Sequence, residues 1–240
     1  MSECRWSVVH RFSTGIEVEN PVPGYENLGV SLGYEGDRLI EVVQVLQYDE
    51  QSAPHQVVDA SREHLGILFE LLRYWRGIPL PSVNSVATKT GSTTDWLSRG
   101  TGFLSIAADA LLSGTIRMPD PAVLLRAPPR MLVWLRLAND ASDCSDAADA
   151  IRNYYLIWED LHSGEADQPI AADNLRFTRH FVSHGSKLHE PTRRFIQRDD
   201  NLGPGVDQFD PTDTAQRQFL SRQRRSARAL IEAELAKYLT

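Results

Sequence analysis

A chain of 240 residues is long enough for one large or two ordinary domains. Its 42% hydrophobic and 24% charged content argue against long disorder, and a chain this size buries roughly 70% of its unfolded surface without a metal or a disulfide. A formal net charge of −7 argues against a nonspecific nucleic-acid coat.

The first third reads as strands followed by a helix. Arg5 to Ser13 is rich in Trp, Val and Phe. Leu28 to Tyr34 and Leu39 to Tyr48 flank the turn signal Glu35-Gly36-Asp37-Arg38 and predict a hairpin. Ile40, Val42, Val45 and Leu46 give the second arm at least one buried face. A helix follows, with Asp59 or Ser61 as its N-cap. Leu65, Leu68, Leu72 and Trp75 repeat along it at helical spacing, and Gly77 is the stop. Val83 to Ser105 is rich in Thr, Ser and Gly and yields no assignable element. Residues 1–117 are expected to form a small α+β domain of antiparallel strands with a packed helix, without a legible chemical signature.

The character changes at Met118-Pro119-Asp120-Pro121, so residues 118–240 are read as a separate helical domain. Pro128-Pro129 start its first helix, with Pro129 in the first turn and Met131, Leu132, Trp134, Leu135 and Leu137 on the apolar face. After the turn Ser142-Asp143-Cys144-Ser145-Asp146, with Ser145 or Asp146 as cap, a second helix is expected over about 147–161. A third covers about 172–184 and ends at Gly185. A basic stretch at Arg193 and Arg194 and an acidic Gly/Pro loop lead to the last, about 214–239. Four helices with mostly short connections imply an antiparallel bundle.

Cys4 and Cys144 lie far apart in no metal-ligand spacing, which fits a reducing cytoplasm. The opening MSECRWSVVH lacks the apolar run of a signal peptide, and no stretch approaches the ~20 apolar residues of a membrane span. A cytoplasmic protein without a membrane partner is therefore expected. Charge is uneven along the chain: from Ala171 onward twelve Lys and Arg face nine Asp and Glu, leaving −10 for the remainder. Any polyanion should meet the C-terminal third.

The third helix of this domain carries the chemistry. With Phe177 at zero and about 100° per residue, Phe181, Val182 and Leu175 fall on a broad apolar arc. Arg179, Arg176, His180 and His184 lie on the opposite, polar face, with Arg179 and His184 at its borders. An arginine can hold a phosphodiester bidentately and stabilise its transition state. A histidine can move a proton to or from the 2′-hydroxyl or the leaving oxygen. Such a pair would cut RNA without a metal and leave DNA intact. By residue types alone, a solvated polar face with two histidines near a helix end explains the same pattern.

Arg179-His180-Phe181-Val182-Ser183-His184 resembles the motif of the HEPN superfamily (higher eukaryotes and prokaryotes nucleotide-binding): Arg, a polar residue, three more, then His. Gly185 matches its common ending. The stretch from Ala150 to Leu161, with Tyr154, Tyr155 and Glu159, is similar to the aromatic helix preceding the motif in several prokaryotic branches. Among these are ApeA-like and MauJ-like proteins, which carry an N-terminal domain of strands and helix. The resemblance spans about 119–240. It implies a four-helix HEPN-like bundle and a homodimer in which two motif helices share a cleft. It also implies, in many members, metal-independent endoribonuclease activity, with Arg179 and His184 as the catalytic pair. His180 fills the polar position, and Glu159 would orient Arg179 from the neighbouring helix. Arg176, Arg222 and Arg225 are candidate RNA contacts, and neither metal nor cofactor is required. Other members are silent dimerisation and binding modules, so that alternative stands beside the nuclease, as does a role in defence or stress response.

Rival chemistries are poorly supported. His180 and His184, with His189 or Glu190, have zinc-ligand spacing, but no Glu follows His180 to make HExxH. Gly-x-Ser-x-Gly is absent, and the glycines of TGSTTDW and GPG lack the lysine of a phosphate loop. Tyr154 and Tyr155 are read as core packing, and the run Arg222, Arg224, Arg225, Arg228 covers more than one helix face.

Overall fold

In a computed structural model the described residues are 3–77, 79–89, 96–98, 116, 118–163, 172–183, 188–199, 202, 206 and 208–239. The fold is mixed α+β, and the chain divides into two compact units, Met1–Arg126 and Ala127–Thr240. The composition change at Met118 therefore falls inside the first unit. Three contacts hold that segment there: Ile116 bridges Val18, the Tyr25 hydroxyl donates to the Pro119 carbonyl at 3.0 Å, and Met118 is buried.

The first unit is built on an antiparallel sheet. Its strands are β1 (Glu3–Glu17), β2 (Gly24–Tyr25), β3 (Val30–Glu35), β4 (Arg38–Asp49), β5 (Val83–Lys89) and β6 (Trp96–Ser98), in the order β2-β3-β4-β1-β5-β6. The expected hairpin is β3–β4, turned at Gly36 with φ +60°. That left-handed conformation favours a residue without Cβ. β5 and β6 fall in the Ser/Thr/Gly-rich stretch, where short strands leave too little alternation to be recognised. On β1, Trp6, Val8, His10 and Phe12 are buried while Arg5 and Arg11 are exposed, the period of two of a half-buried strand.

Two helices follow β4, α1 (Pro54–His64) and α2 (Gly66–Arg76). The first begins five residues before the expected Asp59 cap. Pro54 sits in its first turn, and Gln56 Oε1 accepts from the Ala53 amide at 3.0 Å. Ser61 is instead fully buried mid-helix. Gly77 ends α2 in the left-handed region, as its position predicts. Val57 and Val58 of α1 pack on Trp6, Val8 and Ala87. Beside that contact runs a buried polar chain. His10 Nδ1 lies 2.9 Å from Ser85 Oγ and Nε2 lies 2.8 Å from Ser61 Oγ, while Ser61 donates to Gln44 Oε1 at 2.7 Å. A short helix, α3 (Pro121–Arg126), completes the unit.

The second unit is helical: α4 (Met131–Asp143), α5 (Ala147–Leu161), α6 (Asp173–Ser183), α7 (Glu190–Gln197) and α8 (Thr214–Leu239). Pro128 and Pro129 lie before α4 rather than inside it. The Pro128 carbonyl accepts from the Met131 amide at 2.8 Å, so the prolines form the entry turn. Asp146 caps α5, accepting from the Ala148 amide at 2.7 Å. Trp134 on α4 donates to Asp160 on α5 at 2.6 Å, so the start of α4 lies against the end of α5 and the two run antiparallel. Ile151, Tyr154, Ile157 and Trp158 of α5 are buried beside α4, α6 and α8. Phe181 of α6 meets Phe209 and Phe219 edge-on at 5.7 and 6.2 Å. The unexpected element is α7, which occupies the basic stretch. His189 caps it, accepting the Thr192 amide at 3.3 Å, and Pro191 sits in its first turn.

Candidate functional site

α6 carries the candidate arginines because its apolar and polar residues separate cleanly at 3.6 residues per turn. Leu175, Thr178, Phe181 and Val182 are buried, Arg176 is exposed, and Arg179 and His180 are half-buried at the edge. α5 presents a matching stripe at helical spacing: Arg152, Tyr155 and Glu159. The two stripes meet in antiparallel register. An Arg152 Nη2 N–H donates to the Val182 carbonyl at 2.5 Å, and the Arg179 guanidinium lies 5.1 Å from the centre of the Tyr155 ring.

Tyr155 is the hub of this edge. Its hydroxyl donates to Glu159 Oε1 at 3.4 Å, a long bond. Burial pushes the phenol above its ordinary pKa, and the Glu159 charge adds to that, against the opposing pull of Arg179 and Arg176. The phenol therefore stays protonated and can donate. Glu159 does not grip Arg179 directly, as the resemblance implies it would; its carboxylate engages Tyr155, which in turn supports the guanidinium. Among the described residues no carboxylate lies within ion-pair reach of Arg179. Its N–H donors are presented without a competing anion. The sequence reading places Tyr155 in the core with Tyr154, because aromatic residues in a bundle helix usually pack there. Adjacent helical residues are ~100° apart, so a pair of this kind splits between two faces. Tyr154 is 2% exposed and takes the core side.

His180 departs from the expected open polar face. Its ring stacks on His189 at 3.9 Å with 20° between the planes, and its Nε2 is out of contact with solvent. The cause is α7, whose cap residue His189 also meets Phe177 edge-on at 6.3 Å. His180 is thus a packing partner of α7. The described part of the helix runs to Ser183, and His184, with Gly185, lies outside the described residues.

The remaining arginines differ in availability. Arg176 pairs with Asp173 on its own helix at 2.8 Å and lies 5.0 Å from the Phe177 ring centre. Arg222 is held by Asp199 at 2.7 Å. Arg228 pairs with Glu232 at 2.7 Å, and Arg224 donates to the Ala141 and Ser142 carbonyls, both at 2.9 Å. Arg225 is exposed and, among the described residues, its side chain reaches Ser221 Oγ alone, at 3.5 Å. The basic run on α8 is therefore mostly occupied by structural partners. Arg152, which sequence reasoning passed over, lies beside α6 but is likewise ion-paired, with Asp149 on its own helix. Among the described residues no group of three His, Cys, Asp or Glu could hold a metal ion, and no helix is long and apolar enough to cross a membrane.

Comparison with protein-family models, with curated proteins and with solved structures finds no match for this chain.

Proposed function

We propose that the second unit is a HEPN-like helical domain, four expected helices with α7 inserted, that binds an RNA phosphodiester at the edge shared by α5 and α6 and cuts it without a metal. Arg179 would hold the phosphate and stabilise the charge of the transition state, with Tyr155 positioning the guanidinium and Glu159 acting through that phenol. His184 would take the 2′-hydroxyl proton as the 2′-oxygen attacks phosphorus. The 5′-oxygen leaves with a proton from the protonated His184 of a second copy, giving a 2′,3′-cyclic phosphate. The homodimer belongs to this reading because residues five apart, as Arg179 and His184 are in sequence, are not neighbours on an ideal helix. The observation that carries it is the Arg179 guanidinium, half-buried over Tyr155 with no carboxylate among the described residues to neutralise it.

One observation favours the alternative, a catalytically silent dimerisation and binding module. Arg222, Arg228 and Arg176 are already ion-paired, which leaves a short cationic surface for a long polyanion. The experiment incubates single-stranded RNA with the purified chain in EDTA, beside an Arg179→Ala/His184→Ala double variant. Cleavage by the unsubstituted chain alone, with cyclic phosphate ends, supports the nuclease. Equal products from both proteins refute it, and intact RNA across several substrates favours the binding module.

A further inference from the structure

The second unit holds a cavity of about 440 Å³ that shares no lining residue with the α5–α6 edge. Its size falls in the range of small-molecule sites, roughly 300–1,000 Å³. One wall is a single stripe of α8, where Arg217, Leu220 and Arg224 recur at helical spacing. The start of α5 with its cap Asp146 also lines it, and the rest comes from Phe209 and Pro211 in the segment before α8.

The lining divides into two chemistries. Phe209, Pro211 and Leu220 make an apolar wall, and the Phe209 ring is braced edge-on against the fully buried Phe181 at 5.7 Å. Arg217 and Arg224 supply two cations. Arg224 is immobilised, since one of its terminal nitrogens donates to the Ala141 and Ser142 carbonyls at 2.9 Å each. A guanidinium has five N–H donors, so the Nε and Nη1 donors remain for a ligand. Among the described residues the Arg217 side chain makes one hydrogen bond, to the Thr214 hydroxyl at 3.1 Å. Among the described residues neither has a carboxylate within ion-pair distance, whereas Arg222, Arg228, Arg194 and Arg176 all do. The one acid in the lining, Asp146, already accepts from the Ala148 amide and faces the positive end of α5.

We propose that this cavity binds a phosphate monoester with a flat apolar body, the dianionic head between Arg217 and Arg224 and the body against Phe209 and Leu220. Arginine forks match phosphate oxygens bidentately, and a monoester carries about −1.5 to −2 at neutral pH, the charge two guanidiniums balance. The probe is 1-naphthyl phosphate titrated calorimetrically into the full chain, beside inorganic phosphate and 1-naphthol. Saturable 1:1 binding is expected, weakened about tenfold or more when head or body is missing. Arg217→Gln should weaken it about tenfold while leaving the thermal midpoint unchanged, because that side chain is exposed and makes one side-chain hydrogen bond among the described residues. Arg228→Gln, outside the lining, should leave affinity unchanged. No saturable binding, inorganic phosphate binding as tightly as the ester, or an Arg217→Gln variant with undiminished affinity would each overturn the assignment.

Discussion

Acidification should attack the first unit at a single imidazole. The polar chain through His10 has only one consistent proton arrangement. Gln44 Nε2 donates to the Leu28 carbonyl at 3.3 Å, so its Oε1 faces Ser61 and must receive the Ser61 proton. Ser61 Oγ then accepts from His10 Nε2–H. At the other end Arg62 donates to Ser85 Oγ at 2.9 Å, which leaves the Ser85 hydroxyl to donate to His10 Nδ1. Every bond is satisfied with a neutral ring, and a second ring proton would displace the Ser85 hydroxyl from its donation to Nδ1. Burial and the Arg62 charge accordingly lower the His10 pKa from 6.5 to about 4. The unfolded chain thus binds more protons than the folded one between these values, so stability is fully present above 6.5 and falls as the pH drops towards 4. A shift of this size corresponds to about 3 kcal/mol across the window. Urea unfolding followed by hydrogen exchange in the β1 and β4 peptides measures it, with His10→Gln as reference so that other titrating groups cancel. The stability difference between the two proteins should shrink by about 2–3 kcal/mol between neutral pH and about pH 4.5. A difference that stays constant with pH, or an imidazole that titrates near its ordinary value by NMR, would refute the argument.

Substitutions at two positions test the second unit. Tyr155→Phe keeps the ring under Arg179 and removes the bond to Glu159, so RNA cleavage should fall no more than about threefold, whereas Tyr155→Ala should cost about tenfold. Steady-state cleavage of one labelled RNA separates the two outcomes. Phe181→Ala should destabilise the unit by about 3–5 kcal/mol in denaturant unfolding, since the ring is fully buried between Phe209 and Phe219.

What was legible beforehand followed from periodicity. The strands β3 and β4, the Gly36 turn, the Gly77 stop and the apolar side of α6 are all marked within a few residues of chain, so local pattern suffices. α7 was missed for the same reason. Eight residues with charges at Glu190, Arg193 and Arg194 and a proline at Pro191 leave only Phe195 and Ile196 to mark an apolar side. Its consequence reached the candidate site, because the His189 cap covers His180 and withdraws it from the polar face. The His10 chain was beyond local reading altogether. It depends on His10 lying opposite Ser85 in the β1–β5 register while α1 delivers Ser61 from another element.

The pair Tyr154-Tyr155 shows how the same helix serves packing and chemistry at once. Rotation by one residue sends Tyr154 into the core beside Ile157 and Trp158, and turns Tyr155 with Arg152 and Glu159 towards α6. The core face fixes α5 through burial, each large side chain contributing about 1.5–3 kcal/mol. The adjoining stripe is thereby held in place without having to stabilise the fold itself. A half-buried arginine over an aromatic ring is tolerable only on such a rigid support, because its desolvation is offset by one weak contact. Cutting the support should therefore free Arg179 to collapse onto the nearest carboxylate, Glu159 among them, and quench its field. That expectation ties the loss predicted for Tyr155→Ala to a new Arg179–Glu159 ion pair, and the double variant Tyr155→Ala/Glu159→Gln should recover part of the lost cleavage.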